Sequence, residues 1–231
     1  MPFFYLDYWY IVLVVPALLL AFWAQINVNT TFSRYSKVTA PSGMTGAESA
    51  RRVLEANGVV GVRIERISGN LTDHFDPKTN TIRLSESVYD ATTVSAVGVA
   101  AHEAGHAVQY AVGYSPMKLR AAIIPATNIG SQLAMPLVLL GLLLSSAMLV
   151  DIGIVAFSMS TLFQLVTLPV EFNASRRAVA TLEASCVSAA EVKGAKAVLR
   201  AAALTYVAAL AVSLASLLRI ILLFGGRNRR D

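Results

Sequence analysis

The residues with the clearest chemical potential lie in one short segment, Ala101-His102-Glu103-Ala104-Gly105-His106-Ala107. This segment contains the pattern H-E-x-x-H. On an α-helix, a spacing of four residues places both imidazoles on one face, where they can reach the same metal ion. Glu103 lies beside that face, so we predict that it takes a proton from the attacking water and is not itself a ligand. The pattern predicts one Zn²⁺ per chain, bound in part by His102 and His106.

A third protein ligand is required, because catalytic zinc sites use three and keep one position for water. We predict that this ligand is Glu171, which directly follows an apolar segment. A carboxylate at a membrane boundary is costly unless it is paired or bound to a metal. Small residues three, four and seven positions further on would let another helix approach closely. Two alternatives remain open: His74 could be the third ligand, or Glu171 could pair with Arg176 or Arg177 at a helix start.

His74 is also a candidate catalytic residue, because an imidazole could donate a hydrogen bond to the oxyanion that forms during hydrolysis. The alternative is that His74 caps backbone groups in the turn formed by residues 73–76. Tyr110 and Arg176 are further candidates for the oxyanion role. The segment Thr81–Ser85 reads as a strand just before the metal-binding helix, and by analogy it could receive an extended substrate by strand addition. The alternative is that this strand is purely structural.

The elements that position these residues include membrane segments. Hydrophobic residues make up 55% of the 231 residues and charged residues only 14%, with a mean hydropathy of +0.59. Soluble proteins average roughly 25% charged residues. Four segments are long and apolar enough to span a bilayer, and we expect a tight turn at Asp151 and Gly153 between the second and third. They cover approximately residues 5–24, 129–149, 152–170 and 201–224.

The first apolar segment is predicted to be a retained anchor. It contains Asp7 but no Lys or Arg ahead of its apolar run, and a signal peptide would carry a basic n-region. The chain has a single cysteine, Cys186, which excludes an intrachain disulfide.

The two long loops between the predicted spans, residues 27–128 and 171–200, should lie on one side of the membrane. Together they contain 15 of the 19 Lys and Arg residues, ten in the first loop and five in the second, which predicts a cytoplasmic location. Three arginines in the tail argue for the opposite orientation. Basic residues are not interleaved with aromatic ones, so nucleic acid is not an expected partner.

The predicted fold is therefore that of a mainly α membrane protein with four transmembrane helices and a small α+β, zincin-like catalytic unit formed by the loops on one face. Within the first loop, a capping box at Thr45 and Glu48 opens a helix that extends to about residue 56. Strands are expected at 62–67 and 81–85, and the metal-binding helix at 93–112. The predicted segments are a first transmembrane anchor (1–26), a catalytic loop domain (27–128), a transmembrane hairpin (129–170), a helical segment with the third ligand (171–200), and a last transmembrane helix with a basic tail (201–231).

Several longer segments resemble the YugP-type neutral zinc metallopeptidases. They are Thr72 to Pro77, Thr81 to Ser85, Ala96 to Gln109, Leu168 to Ala178 and Ala201 to Ala208. The resemblance covers nearly the whole chain and implies a multipass membrane protein with one zinc ion. More distantly, H-E-x-x-H followed by E-F-x-A resembles the HtpX and CAAX-prenyl membrane proteases, which usually have Asp at the position of Ser175.

We therefore expect a zinc-dependent membrane endopeptidase that hydrolyses peptide bonds of membrane or membrane-adjacent polypeptides. A zinc hydrolase acting on small amides, or a metal-binding membrane scaffold, is the alternative. The lipid bilayer is an expected partner, and a membrane-protein partner or a second copy of the chain is left open.

Overall fold

The computed structural model describes residues 7–185 and 187–224, so Cys186 and the basic tail lie outside the described residues. The described chain is mainly helical, with one small sheet, and divides into two compact units. The first unit comprises residues up to 24, 119–168 and residues from 205 onward; the second comprises residues 25–118 and 169–204. The helices are α1 (Val15–Tyr35, preceded by a π-helical turn, Tyr10–Val14), α2 (Gly46–Ala56), α3 (Glu86–Tyr89), α4 (Val94–Ala111), α5 (Ser115–Leu143), α6 (Ala147–Ala184) and α7 (Ala189–Phe224).

Four of these helical segments are long and apolar enough to cross a membrane: Tyr10–Tyr35, which includes the π-helical turn, and helices α5, α6 and α7. This confirms the predicted fold class. The helices are longer than the apolar segments from which they were predicted, because each continues into more polar sequence at one or both ends.

The predicted turn at Asp151 and Gly153 is wrong, since both residues lie inside α6. The chain reverses at residues 144–146, where Ser145 adopts a positive φ of 53° and Ser146 N–H donates to Gly141 O at 2.7 Å. Gly153 instead allows close packing of helices. A Cβ atom there would lie 2.9 Å from Ala134 O on α5, which is too close for two non-bonded atoms.

Helix α2 in the second unit begins as the sequence predicts. Thr45 Oγ1 accepts a hydrogen bond from Glu48 N–H at 3.2 Å, and Glu48 Oε2 accepts one from Thr45 N–H at 2.8 Å. This reciprocal capping box satisfies two donors that the first helical turn leaves free. Val53 and Leu54 on the buried face of α2 belong to the same hydrophobic core as much of α4.

A three-stranded sheet also lies in the second unit, with the order β1-β3-β2. Its strands are β1 (Arg63–Ile67), β2 (His74–Asp76) and β3 (Thr81–Ser85). Strand β3 pairs in parallel with β1 and antiparallel with β2. The prediction that β3 receives a substrate by strand addition is therefore wrong, because both of its edges already pair within the sheet. Strand β2 was not predicted, since it is short and lies in a segment dominated by turn-forming residues.

Helix α4 is largely buried in the second unit. Its N-cap residue, Thr93, accepts from Ala96 N–H at 3.4 Å, and two glycines allow neighbouring backbones to approach. A Cβ atom on Gly98 would lie 3.2 Å from Ala195 Cα on α7, and one on Gly105 would lie 2.5 Å from Ala174 O on α6. The absence of side chains at these two glycines thus lets α4 pack close to α6 and α7.

Candidate metal centre

Three potential metal donors converge between α4 and α6. The Nε2 atoms of His102 and His106 lie 3.2 Å and 3.5 Å from Glu171 Oε2. Each of the three side chains offers a donor atom, and these atoms all lie within 4.8 Å of one another. Among the described residues, this is the group of His, Cys, Asp and Glu side chains that could hold a metal ion.

The geometry fits zinc. With zinc–ligand distances of roughly 2.0–2.2 Å, tetrahedral coordination separates the donor atoms by about 3.3 Å. The two observed separations from Glu171 lie close to this value. Two imidazoles with one carboxylate form a ligand set that catalytic zinc sites use, and the set leaves a fourth position for water.

Glu171 reaches the histidines because α4 and α6 pack unusually closely. Only a glycine at position 105 permits the backbone of Ala174, one helical turn beyond Glu171, to approach as it does. The side chain of Glu171 is 3% exposed. Glu171 is not at a helix start, because α6 continues unbroken from Ala147 to Ala184. The setting assumed for its ion pair with Arg176 or Arg177 is therefore absent.

The other nitrogen of each imidazole also has a partner. His102 Nδ1 lies 3.0 Å from Ser175 Oγ, and His106 Nδ1 lies 3.0 Å from Gln109 Oε1. These contacts orient both rings so that their Nε2 atoms face Glu171. Ser175 thus contacts the first histidine of the H-E-x-x-H motif. A serine can serve here because its hydroxyl can either donate or accept.

Glu103 is buried, with 9% exposure. Within residues 7–185 and 187–224, no hydrogen bond or ion pair involves its carboxylate, and it is not in the donor cluster. Its negative charge acts on neighbouring groups. Burial lowers the pKa of His106, but the hydrogen bond to Glu171 and the charges of Glu103 and Glu171 outweigh burial and raise it. Burial raises the pKa of Asp73, and Glu103 raises it further, against hydrogen bonds from Ser85.

The structure does not bring His74 into the donor cluster. His74 lies exposed on β2, and its Nδ1–H donates to Thr72 O at 2.8 Å. Tyr110, on α4, contacts Phe75 of β2 with ring centroids 5.8 Å apart. Arg176 is exposed on α6. No observed contact links these three residues to the metal donors, so their proposed role with the oxyanion stays a prediction.

Gln109 was not predicted to contribute to the site. A single glutamine on a helix carries no distinctive signal, and its partners on α6 are about 60 residues further along the chain. The H-x-x-Q spacing places Gln109 one helical turn after His106. This spacing is the only sequence feature that could have indicated the contact between the two side chains.

Comparisons with known proteins agree with this geometry. Residues 10–225 match the family described as "Putative neutral zinc metallopeptidase". The chain is 49% identical, over 223 residues, to the "Putative membrane protease YugP" of Bacillus subtilis strain 168. The match covers 96% of this chain and 98% of that protein. No solved structure shows a significant match.

Proposed function

Because the chain belongs to the neutral zinc metallopeptidase family and is therefore a hydrolase, we propose that it cleaves peptide bonds of membrane or membrane-adjacent polypeptides. In this proposal, His102, His106 and Glu171 hold one zinc ion and Glu103 is the general base. The convergence of the three donor atoms within 4.8 Å is the observation that carries the proposal.

Zinc in this site would supply a Lewis acid that polarises the scissile carbonyl and lowers the pKa of water towards about 7. The protein residues have separate tasks. The two imidazoles would be neutral ligands, and Glu171 would contribute one negative charge that partly balances the charge of the ion. Glu103, one residue after His102, accepts the proton of the attacking water and can return it to the leaving amine. Its lack of a hydrogen-bond partner among the described residues leaves the carboxylate available for this transfer.

Strand β2 is the proposed docking strand for the substrate. One edge pairs with β3, and within the described residues no strand pairs with the other edge. Phe75 connects β2 to α4 through its contact with Tyr110. An extended peptide added to the open edge would satisfy its backbone hydrogen bonds there. This position replaces the central strand β3 that the sequence suggested, and His74 on the same strand remains the candidate donor to the oxyanion.

The two basic loops are proposed to be cytoplasmic, with the catalytic residues in 27–128 and 171–200 and the membrane segments in 1–26, 129–170 and 201–231. The concentration of 15 of the 19 Lys and Arg residues in these loops supports the orientation. Reporter fusions at Gly69 and at the C-terminus test it, and we expect opposite sides. A Gly69 fusion outside the cell would overturn the orientation without affecting the chemistry.

The substitution Glu103→Gln tests the proposed reaction. Loss of the proton acceptor should lower the turnover of an unfolded membrane protein by about 10²–10⁴-fold, while zinc content stays unchanged because both imidazoles remain. Glu86→Gln, at an exposed glutamate of α3, is the matched control. Zinc content and cleavage are measured in detergent for each variant, with a small amide as a second substrate.

Retention of most turnover in Glu103→Gln would refute the role of Glu103. Hydrolysis of the small amide without cleavage of the polypeptide would favour an amidase. Zinc binding without turnover of either substrate would favour a metal-binding scaffold.

A further inference from the structure

We infer that Gln109 is a positioning residue, which fixes the Nδ1–H tautomer of His106 and anchors α4 to the segment of α6 that carries Glu171. The inference rests on the proposed metal site, but Gln109 itself is not one of the metal donors. Gln109 is fully buried. Its amide makes three hydrogen bonds, one to His106 on its own helix and two to α6.

The orientation of the amide follows from the partners of its nitrogen. Gln109 Nε2 lies 2.7 Å from Val170 O, a backbone carbonyl that can only accept. It also lies 3.0 Å from Asn173 Oδ1. The atom of Asn173 at this position must be oxygen, because Arg177 Nε–H, which can only donate, lies 2.8 Å from it. A flipped Gln109 amide would place its own oxygen against two acceptors.

The tautomer of His106 follows from this orientation. With Nε2 of Gln109 directed at α6, its Oε1 faces His106 Nδ1 at 3.0 Å. An amide oxygen cannot donate, so Nδ1 must carry the proton. In the neutral imidazole, the lone pair then lies on Nε2, the atom that faces Glu171 Oε2 at 3.5 Å. A backbone carbonyl and an arginine on α6 thus determine which nitrogen of His106 is free to bind a metal.

The same amide also holds the two ligand-bearing helices together. Val170 immediately precedes Glu171, and Asn173 lies two residues after it. Gln109 therefore contacts α6 on both sides of the predicted third ligand while it orients the second. Residues that orient metal-binding histidines typically change metal affinity by about 10–100-fold when they are replaced.

Two substitutions of Gln109 separate its two tasks. Gln109→Met keeps a similar length but removes the acceptor and both donors. It should weaken zinc binding by about 10–100-fold and raise the population of the Nε2–H tautomer of His106. Gln109→Glu keeps an acceptor for Nδ1–H and should preserve the tautomer, but its carboxylate faces Val170 O and Asn173 Oδ1 without a proton to donate. It should therefore still bind zinc more weakly than the wild type.

The matched control is Ser49→Ala. Ser49 on α2 is buried and donates to Val97 O on α4, the helix that carries Gln109, at 2.9 Å, but it contacts none of the metal donors. Asn173→Asp and Asn173→Leu extend the test without altering Gln109. The aspartate retains the acceptor for Gln109 and Arg177, and should keep wild-type zinc affinity; the leucine removes it, and should lose affinity.

The experiment measures zinc affinity by competition with a chelator, and the His106 tautomer from imidazole ¹⁵N shifts in zinc-free protein. Support requires the Nδ1–H tautomer in the wild type, weaker binding in Gln109→Met and Asn173→Leu, and unchanged binding in Ser49→Ala. Should Gln109→Met not fold, the Asn173 pair and the wild-type tautomer decide the matter. An Nε2–H tautomer in the wild type, or wild-type affinity in both apolar variants, would overturn the inference. Failure of the wild type to bind zinc would instead refute the proposed function.

Discussion

The close approach of α4 and α6 at Gly105 gives the sharpest test of how packing builds the metal centre. In Gly105→Ala, the new Cβ atom would lie 2.5 Å from Ala174 O. An ordinary van der Waals contact begins at 3.4 Å, so the two backbones must separate by about 0.9 Å. The atoms nearest to the new Cβ all belong to the backbone of Ala174, so no flexible side chain can move aside to relieve the contact. Metal–ligand distances tolerate deviations of only about 0.2 Å, so the shift would carry Glu171 out of range of His102 and His106.

We expect zinc affinity to fall by about 10–100-fold in Gly105→Ala, the range found when the supports of metal ligands are lost. Global stability should change less. Overpacking costs about 1–3 kcal/mol, and alanine recovers about 1 kcal/mol of helix propensity relative to glycine. Zinc affinity is measured by chelator competition and stability by thermal unfolding in detergent.

Gly98→Ala is the matched control, because it makes the same change on the same helix. Its Cβ atom would lie 3.2 Å from Ala195 Cα, so a displacement of a few tenths of an ångström relieves the contact, away from the metal donors. Zinc affinity should then stay near that of the wild type. Wild-type affinity in Gly105→Ala, or an equal loss in both variants, would refute the argument that close packing at position 105 places Glu171.

Two further predictions concern charged groups. The raised pKa of Asp73 means that the folded protein binds its proton more tightly than the unfolded chain. Its contribution to stability is present below about pH 4, the unfolded pKa, and is lost as the pH rises through the folded pKa. The stability of the wild type relative to Asp73→Asn should therefore decrease over that range, and a constant difference in unfolding temperature would contradict this.

In the first unit, Asp7 Oδ2 accepts from Arg219 Nε–H at 2.8 Å. Asp7→Asn should lower the unfolding temperature in detergent by more than it does in an Arg219→Gln background, because the partly buried ion pair is already lost there; equal effects in both backgrounds would show that the pair contributes nothing.

The sequence predicts the part of the site that is local. His102 and His106 share a helical face through their spacing alone. The capping box that starts α2 is equally local, because Thr45 and Glu48 are only three residues apart. The position of Glu171 depends on how α4 packs on α6. The small residues near Glu171, its place directly after an apolar segment and the cost of an unpaired carboxylate there indicated the contact, but no distances follow from the sequence alone.

The errors arise where conformation depends on distant partners. Ser145, two residues after the end of α5, adopts a left-handed conformation that is uncommon for serine, so residue type gave no warning of the turn. Gly153 looked like a turn residue because its packing role appears only when α5 lies against it. Strand β2 has three residues and forms because β3 offers it an edge. The role of Gln109 depends on acceptors in α6 that no local pattern reveals.

The most direct test of the metal centre is the number of zinc ions per chain, measured by elemental mass spectrometry on purified wild type, Glu171→Ala and His74→Ala. Glu171 supplies the oxygen nearest to both imidazoles, whereas His74 lies exposed on β2 with its Nδ1–H bonded to Thr72 O. We expect one zinc ion per chain in the wild type and in His74→Ala, and strong loss of zinc in Glu171→Ala. Full zinc content in Glu171→Ala together with loss in His74→Ala would contradict it.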